Sequence, residues 1–521
     1  MLNALFIFLL SFSFIMSNDF SDGPYGMNYF DIAAPFTVKD LNTALSGDVN
    51  EDDILNIQDI IMLVGAILDN ITLDDYEFSQ ADLNSDTILD ILDIVEMVNS
   101  VLNPQNSGWS FESNWTGEES FIFIHYQTSS TLWFSSDFNK EWLLERSPMN
   151  VHYFFLSAKE TYNDDVLQVK EQFDNILSAL TPELQEHWKN HLHFVPENSL
   201  ELGNWLSDAL NGKSVLAIDQ FQQLREIGYL GNPASFTGNY IYYLAHEAIY
   251  FDYEWKQFRD NGDVYDEIVI FDEELYTGGW AASISKTIEL PSALQMQSYE
   301  KLEVELLRGC PDANGNYSDA GCDDYDRIAH LYICDAEGTN CLEISRWITP
   351  FDRQPHSLTD ITPFLATLKN GDATTFKFQE SGWPNTLLTL KLRLHSVLDS
   401  QNPTPKEIIP MWLGTNQFNP DYNDNRPLQV FDIPGNAAKV EFVSYITGHG
   451  WGCSGCFNCA EFCNSKHMFS VNGGVHYFDK SHPNASSSTY CMSLDAIAEG
   501  VIPNQYGTWG YGRAGWCPGM D

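Results

Sequence analysis

The sequence predicts a multidomain, mainly β protein. Two antiparallel jelly-roll β-sandwiches fill the C-terminal half, an α/β domain occupies the middle, and a small helical module of paired loops lies near the N-terminus. Three observations carry this reading. The chain has 521 residues, several times a common domain size. From about Trp280 onward, short runs of alternating polarity are separated by turn residues, as in AASISKTIEL, YEKLEVELLR, DRIAHLYIC and LLTLKLRLHSV. Upstream of these, a loop-then-helix unit occurs twice, and strand-like runs then alternate with amphipathic helices.

Composition narrows the functional classes. Acidic residues number 73 against 26 basic ones, a formal charge of −47, which repels phosphate backbones and anionic lipid. Nucleic acid is therefore excluded as a natural partner, whereas cations suit the surface. Apolar residues at 44% and aromatic residues at 14% are ample for packed cores, so the acidity belongs to surfaces. The apolar run from Leu5 to Met16 is short for a bilayer span and ends in small polar residues, which predicts a secretory signal over 1–17. No later segment reads as a membrane span, so membrane association is not expected. Ten cysteines, all beyond residue 300, fit an oxidising compartment. The expected location is secreted, periplasmic or cell-surface.

The paired loops come first. GDVNEDDILNIQDIIMLVGAIL and ADLNSDTILDILDIVEMVNSVL superimpose residue type on residue type, with starts 34 residues apart. Each offers oxygen donors at loop positions 1, 3, 5, 9 and 12: Asp48, Asn50, Asp52, Asn56 and Asp59, then Asp82, Asn84, Asp86, Asp90 and Asp93. Alternate side chains point inward in such a loop, and Ca²⁺ takes six to eight oxygens. Beyond each loop the apolar spacing turns helical. Over residues 46–103 the pair resembles a type I dockerin, which implies structural Ca²⁺ in both loops and docking onto a cohesin-like protein. Position 6 departs from the pattern, with Asp53 and Thr87 where a Gly would ease the turn, so a weaker site is expected.

Residues 115–275 read as the α/β accessory domain. FIFIHY, NVHYFFLSA, HLHFV and SVLAID are strand-like, and DVLQVKEQFDNILSAL and SLELGNWLSDAL are helical. The stretch has no cysteine and no glycine spacing for a phosphate cradle. His246-Glu247 begins a metalloprotease-like string, but Tyr250 stands where the second ligand belongs.

The sandwiches are expected over 278–400 and 428–521, joined through QNPTPKE and NPDYNDNRP. Three strings here are chemically pointed: CDDYDR at 322–327, NCAEFC at 458–463 and RAGWCPGM at 513–520. Together they resemble the peptide-N-glycosidase F family. The resemblance implies an exported amidase that hydrolyses the Asn–GlcNAc amide of N-linked glycoproteins or glycopeptides, releasing the glycan and converting Asn to Asp, with no cofactor for catalysis. Such chemistry needs a base for water, donors for the developing oxyanion and a platform for sugar faces. Asp326 lies beside Arg327, a cation that favours its ionised form. The resemblance implies that Asp326 activates water, that Glu461 and Glu380 of FQESGW hold the reaction centre, and that Arg513 contacts substrate through its planar fork. Arg327, Tyr325, Trp383 and Trp516 complete the implied substrate contacts, the tryptophans as sugar platforms. The alternative is a non-catalytic glycan-binding or surface-assembly protein on the same sandwiches.

This chain departs from the family in three places. Tyr325 and Phe462 stand for tryptophans, and His449 and Trp451 are exchanged in TGHGWG, which is expected to alter glycan preference. The family continues beyond PGM, so the second sandwich is expected to be truncated at its C-terminus. Cys453, Cys456, Cys459 and Cys463 have a C-x2-C-x2-C-x3-C spacing that suits disulfides, zinc or an iron–sulfur cluster. The resemblance implies bridges Cys310–Cys322, Cys459–Cys463 and Cys491–Cys517. Proximity and parity then add Cys334 with Cys341 and Cys453 with Cys456.

Overall fold

The computed structural model describes residues 19–42, 47–50, 55–84, 87–102, 108–127, 140–213, 215–227, 243–259, 264–311, 321–335, 338–396, 405–450, 459–504 and 509–520. The expected signal at 1–17, the loop residues Asp52 and Asp86, and Cys453 and Cys456 lie outside them. The chain forms two compact units. One comprises Met1–Met27, Asp31–Phe134 and Met149–Arg225; the other comprises Asn28–Phe30, Ser135–Pro148 and Glu226–Asp521. Among the described residues no helix is long and apolar enough to cross a membrane.

In the first unit, β1 (Thr37–Val38) pairs with β2 (Trp109–Ser110), and the paired-loop module lies between them in the chain. Its helices Ile57–Ile67 and Ile91–Leu102 meet over a small core of Val49, Leu63, Ala81 and Met97. The described residues of the two loops share a pattern of hydrogen bonds. Asp59 Oδ1 accepts the N–H groups of Val49 and Asn50 at 2.9 and 3.2 Å, and its Oδ2 accepts that of Asn56 at 2.8 Å. Asp93 repeats this with Leu83, Asn84 and Asp90 at 3.0, 3.4 and 2.9 Å. Position 12 thus ties the start of each loop to its helix and accepts from the residue that caps it. Thr87 takes φ +67°, the left-handed turn that explains why Gly suits position 6.

The α/β sheet follows: β3 (Ser120–Tyr126), β4 (Val151–Ser157), β5 (Leu192–Asn198), β6 (Val215–Ile218) and β7 (Leu224–Arg225), in the order β5-β4-β3-β6-β7. Strands β3 to β5 are parallel, and the β6–β7 hairpin adds antiparallel to β3. Because the parallel strands are covered on both faces, β3 and β4 are almost continuously buried. The helix Tyr162–Leu177 covers one face with Val166, Val169, Phe173 and Leu177, a helical spacing that sets Phe173 against Phe155 and Phe194.

The second unit is dominated by a β-sandwich. Its strands are β8 (Tyr265–Tyr276), β9 (Gly279–Ile288), β10 (Lys301–Gly309), β11 (Ile328–Cys334), β12 (Cys341–Ile348), β13 (His356–Asp360), β14 (Thr374–Gly382) and β15 (Thr386–His395). Two antiparallel sheets, β13-β10-β15-β8 and β12-β11-β14-β9, face each other over one core. Period-2 alternation turns Leu302, Val304 and Leu306 of β10 and Leu388, Leu390, Leu392 and Leu394 of β15 inward, opposite Leu331, Phe376 and Phe378. Each such side chain contributes roughly 1.5–3 kcal/mol on burial.

Two expected boundaries change. The α/β domain does not run to 275: its sheet ends at Arg225, and β8 pairs with β15 inside the sandwich. The described residues of 428–521 do not make a second sandwich. Their strand pairing is one exposed hairpin, β16 (Lys466–Val471) with β17 (His476–Ser481), accompanied by short helices and extended chain. Its side chains project from both faces without a facing sheet among the described residues. The His246-Glu247 string sits on the helix Tyr243–Phe258, where Glu247 is buried against Arg353 at 2.7 and 3.2 Å. That carboxylate holds the helix in place through a buried ion pair rather than serving a metal.

Candidate active site

The CDDYDR string forms the turn that feeds β11, tied to the end of β10 by the Cys310–Cys322 disulfide. Buried Asp323 organises it. Its Oδ1 accepts the Tyr325 N–H at 2.9 Å and Arg327 Nε at 3.1 Å, while Oδ2 accepts the Trp383 N–H at 2.6 Å. Arg327 is therefore held by Asp323, and the expected pairing with its neighbour Asp326 is replaced by an i,i+4 bridge. The Arg327 guanidinium also lies over the Tyr325 ring at 5.0 Å. Tyr325 and Trp383 remain open to solvent at 60% and 48% exposure, and Trp383 meets exposed Trp280 edge-on at 5.8 Å. Asp323 and Trp280 were not singled out from sequence. An Asp whose carboxylate can close an Asx turn two residues ahead is the signal that could have found the first.

Asp326 points the other way, toward the C-terminal strings. Its Oδ2 lies 3.6 Å from Arg513 Nη2, and Arg513 Nε donates to Glu461 Oε1 at 3.0 Å. Arg513 Nη1 donates to the Tyr511 and Trp509 carbonyls at 2.7 and 3.4 Å. One fully buried guanidinium thus bridges two carboxylates from separate strings. Burial pushes the Arg513 pKa down, with Asp326 and Glu461 opposing the shift, and the fork stays charged. His449 joins them: one ligand-type atom from each of Asp326, His449 and Glu461 lies within 4.8 Å of the others. The His449 Nδ1 atom is buried without a hydrogen bond. Sequence reasoning saw the exchange of His449 and Trp451 but not its convergence on the carboxylates.

Local folding fixes this arrangement. Glu461 sits on the one-turn helix Cys459–Phe462, closed by the Cys459–Cys463 disulfide, and its Oε2 accepts the Gly450 N–H at 2.9 Å. The Ala514 N–H donates to the Glu461 carbonyl at 2.8 Å, and the Gly448 N–H to the Ala514 carbonyl at 3.1 Å. A Cβ at Gly448 would stand 1.7 Å from the Ala460 carbonyl oxygen, so only glycine permits this approach. The Cys491–Cys517 bridge anchors the segment that carries Arg513. Cys334–Cys341 clasps the paired ends of β11 and β12. These four bridges take the expected pairings.

Two expected contacts move inward. Trp516 is only 6% exposed, with its Nε1 donating to the Gly448 carbonyl at 2.6 Å and its ring beneath the Arg513 guanidinium at 4.8 Å. It buttresses Arg513 and shows no open face for a sugar. Glu380 is 1% exposed, because alternation along β14 turns it inward just as alternation along β10 turns Arg308 inward. The two pair between the sheets at 2.8 Å. Burial still raises the Glu380 pKa, with Arg308 pulling it down. Glu380 Oε1 and Asp323 Oδ2 each lie 3.1 Å from where a Gly382 Cβ would be, which places this pair beneath the Asp323 turn.

Beside that turn, burial and the neighbouring Asp324 and Asp323 carboxylates push the Asp352 pKa up to about 6. A raised carboxyl pKa favours folding while the group is protonated, and that contribution fades as pH climbs from its ordinary 3.8 through about 6. Asp352 also takes φ +47°, which Asn tolerates. Asp352→Asn is therefore expected to melt with the wild type near pH 4 and about 2 °C above it at pH 7. A gap that is constant across this range in thermal scans would contradict the coupling.

Residues 417–521 match the family model described as "Peptide-N-glycosidase F, C terminal". The chain is 26% identical over 263 residues to peptide-N(4)-(N-acetyl-β-D-glucosaminyl)asparagine amidase F of Elizabethkingia miricola, covering 46% of this chain and 66% of that protein, just under two thirds of its length. Among solved structures, PNGase F, a glycosylasparaginase from Flavobacterium meningosepticum, matches at 20% identity and a TM-score of 0.32, over 50% of this chain and 81% of that one. PNGF-II matches at 16% identity and a TM-score of 0.29, over 60% and 66%. Sequence similarity at low identity thus relates part of this chain to an asparagine amidase.

Proposed function

We propose that this chain, related through its C-terminal segment to peptide-N-glycosidase F, is an exported amidase acting on the Asn–GlcNAc linkage of N-glycosylated proteins or peptides. The observation that carries the reading is the convergence of Asp326 and Glu461 on Arg513 from separate strings. In the proposed reaction Asp326 takes a proton from a water as that water adds to the Asn side-chain carbonyl carbon. The C–N bond then breaks, the departing glycosylamine nitrogen gains a proton, and Asn becomes Asp. Arg513 holds both carboxylates in place, and Glu461 orients the groups around the adding water. Tyr325, Trp383 and Trp280 offer the exposed aromatic faces on which sugar rings stack. Mass spectrometry of an N-glycopeptide incubated with the chain tests this. Release of the whole glycan with Asn converted to Asp supports it. Cleavage that leaves a GlcNAc behind, or no conversion by folded protein, sinks it; retained glycan binding in the latter case supports the binding-protein alternative.

The paired loops support a second, separate proposal. The donors at Asp48, Asn50, Asn56, Asp82, Asn84 and Asp90 are all oxygen, the class that Ca²⁺ takes, and the two loops share one scaffold of hydrogen bonds closed by Asp59 and Asp93. Ca²⁺ in these loops would rigidify a dockerin-like module for a cohesin-like partner. Calcium is expected to stabilise the module by about 3 kcal/mol at a hundredfold excess over Kd, with chelator reversing it. Calorimetric titration reads this, and heat-free addition of calcium would refute it; a pull-down on cohesin with and without chelator tests the partner.

A further inference from the structure

A second cluster of ligand-type side chains lies in the α/β unit, well separated in sequence from the strings that carry the proposed amidase chemistry. Glu119 immediately precedes β3, His152 is the second residue of β4, and His191 immediately precedes β5. The parallel register aligns Phe121 with His152 and Tyr153 with Leu192, so the three residues gather at the amino ends of neighbouring strands. Glu119 divides its oxygens between the two imidazoles. Its Oε2 is 3.5 Å from His152 Nε2, and its Oε1 is 3.4 Å from His191 Nε2. Ring stacking fixes both imidazoles: His152 against Phe121 at 4.9 Å and against His191 at 4.4 Å, and His191 against His187 at 3.9 Å.

Proton accounting on the far side of each ring gives the cluster its meaning. His191 Nδ1 is 2.7 Å from the His187 carbonyl oxygen, which can only accept. A proton therefore sits on Nδ1, and in the neutral ring Nε2 turns a lone pair toward Glu119. His152 Nδ1 is 2.9 Å from His193 Nε2, and His193 Nδ1 is 2.8 Å from Asp40 Oδ2. The other oxygen of Asp40 accepts the N–H groups of Phe194 and Asn42 at 2.9 and 3.1 Å, which marks it as a fixed carboxylate. In a neutral His193 that donates from Nδ1, Nε2 accepts, so His152 donates from Nδ1 and its own Nε2 also carries a lone pair. That atom is buried and makes no hydrogen bond. Two lone pairs and a carboxylate facing one another repel unless protons or a metal ion lie among them.

We propose that Glu119, His152 and His191 form a metal site for a borderline divalent transition ion, zinc by its donor set, distinct from the calcium-type loops. Two imidazoles and one carboxylate, with ligand atoms all within 4.8 Å of one another, are a zinc-type trio that leaves a fourth position for water. The outer partners are those that orient metal-bound histidines: a backbone carbonyl behind His191, and a His193–Asp40 relay behind His152. Hard ions such as Mg²⁺ and Ca²⁺ are excluded by the two nitrogen donors. The inference does not depend on the amidase reading.

The full chain, stripped with chelator and kept in saturating calcium, would be titrated with zinc against a chromophoric competitor, beside Glu119→Gln and His191→Gln. The wild type is expected to bind one zinc that each variant binds at least about 100-fold more weakly, and Co²⁺ is expected to give four-coordinate visible bands that both variants lose. Zinc retained equally by all three proteins belongs elsewhere in the chain and overturns the proposal. Should a variant fail to fold, nitrogen-15 spectra of the wild-type histidines decide. Zinc must move the Nε2 resonances of His152 and His191; both Nε2 atoms protonated and unmoved by zinc would mean that protons, not a metal, bridge the rings to Glu119.

Discussion

Asp326→Asn is expected to slow deglycosylation of an N-glycopeptide by about 10²–10⁴-fold, roughly 3–5 kcal/mol of transition-state stabilisation. The substitution preserves shape and leaves an oxygen to face Arg513 Nη2, 3.6 Å away in the wild type. What it removes is the capacity to take a proton from water. Glycan affinity should persist, because the exposed aromatic faces of Tyr325 and Trp383 are held by Asp323 rather than Asp326. Turnover followed by mass spectrometry and affinity followed by calorimetry separate the two effects. An unchanged rate removes Asp326 as the base. Joint loss of rate and affinity in a normally melting variant makes it a binding group instead.

Arg513→Met is expected to lower stability by about 3–5 kcal/mol and to abolish activity. The guanidinium is fully buried and carries the positive charge between Asp326 and Glu461. Methionine fills similar volume but leaves two carboxylates facing each other across a low-dielectric gap and two backbone carbonyls without their donor. Arg513→Lys should fall between, since it restores charge without the fork that reaches Glu461, Asp326 and the carbonyls together. Urea unfolding monitored by tryptophan fluorescence gives the stability, and the glycopeptide assay the rate. A methionine variant as stable as the wild type would show that the carboxylates are neutralised by something other than Arg513.

Much of the sandwich was legible because alternation is a local signal: KLEVELLRG already marks Leu302, Val304 and Leu306 as one face. Strand β8 was assigned to the wrong domain. It follows a long helix, as strands of an α/β layer do, and its alternation is interrupted where the register against β15 shifts and Glu273 takes φ +45°. The expected second sandwich rested on the strand-like spacing from Trp280 onward and on a length too great for one sandwich, and neither fixes how the last hundred residues pair. Within the proposed site, Asp326, Glu461 and Arg513 stand out in the sequence because each lies in a distinctive string. The Arg308–Glu380 pair was not, since its partners stand 72 positions apart on opposite sheets. Nor was the burial of Trp516, which depends on how closely Gly448 lets two backbones approach. The histidines of HWKNHLHF gave no motif because their partners, Glu119, His152 and Asp40, come from other segments, and only parallel register brings them together.

The disulfides of the second unit have a consequence for how the proposed site is held. Three of them brace segments that carry site residues, with sequence separations of 12, 4 and 26, and each closes a segment upon itself. Among the described residues no bridge joins the turn bearing Asp326 to the segments bearing Glu461 and Arg513. Two stiff half-sites therefore meet across a seam sewn by reversible contacts, among them the Asp326–Arg513 ion pair, the Gly519 N–H donated to the Ile348 carbonyl at 2.8 Å, Arg346 donating to Thr447 Oγ1 at 2.8 Å and Arg353 donating to the Pro503 carbonyl at 3.0 Å. Catalytic competence then reports docking of the halves, and can be lost while every covalent brace and the whole sandwich remain intact.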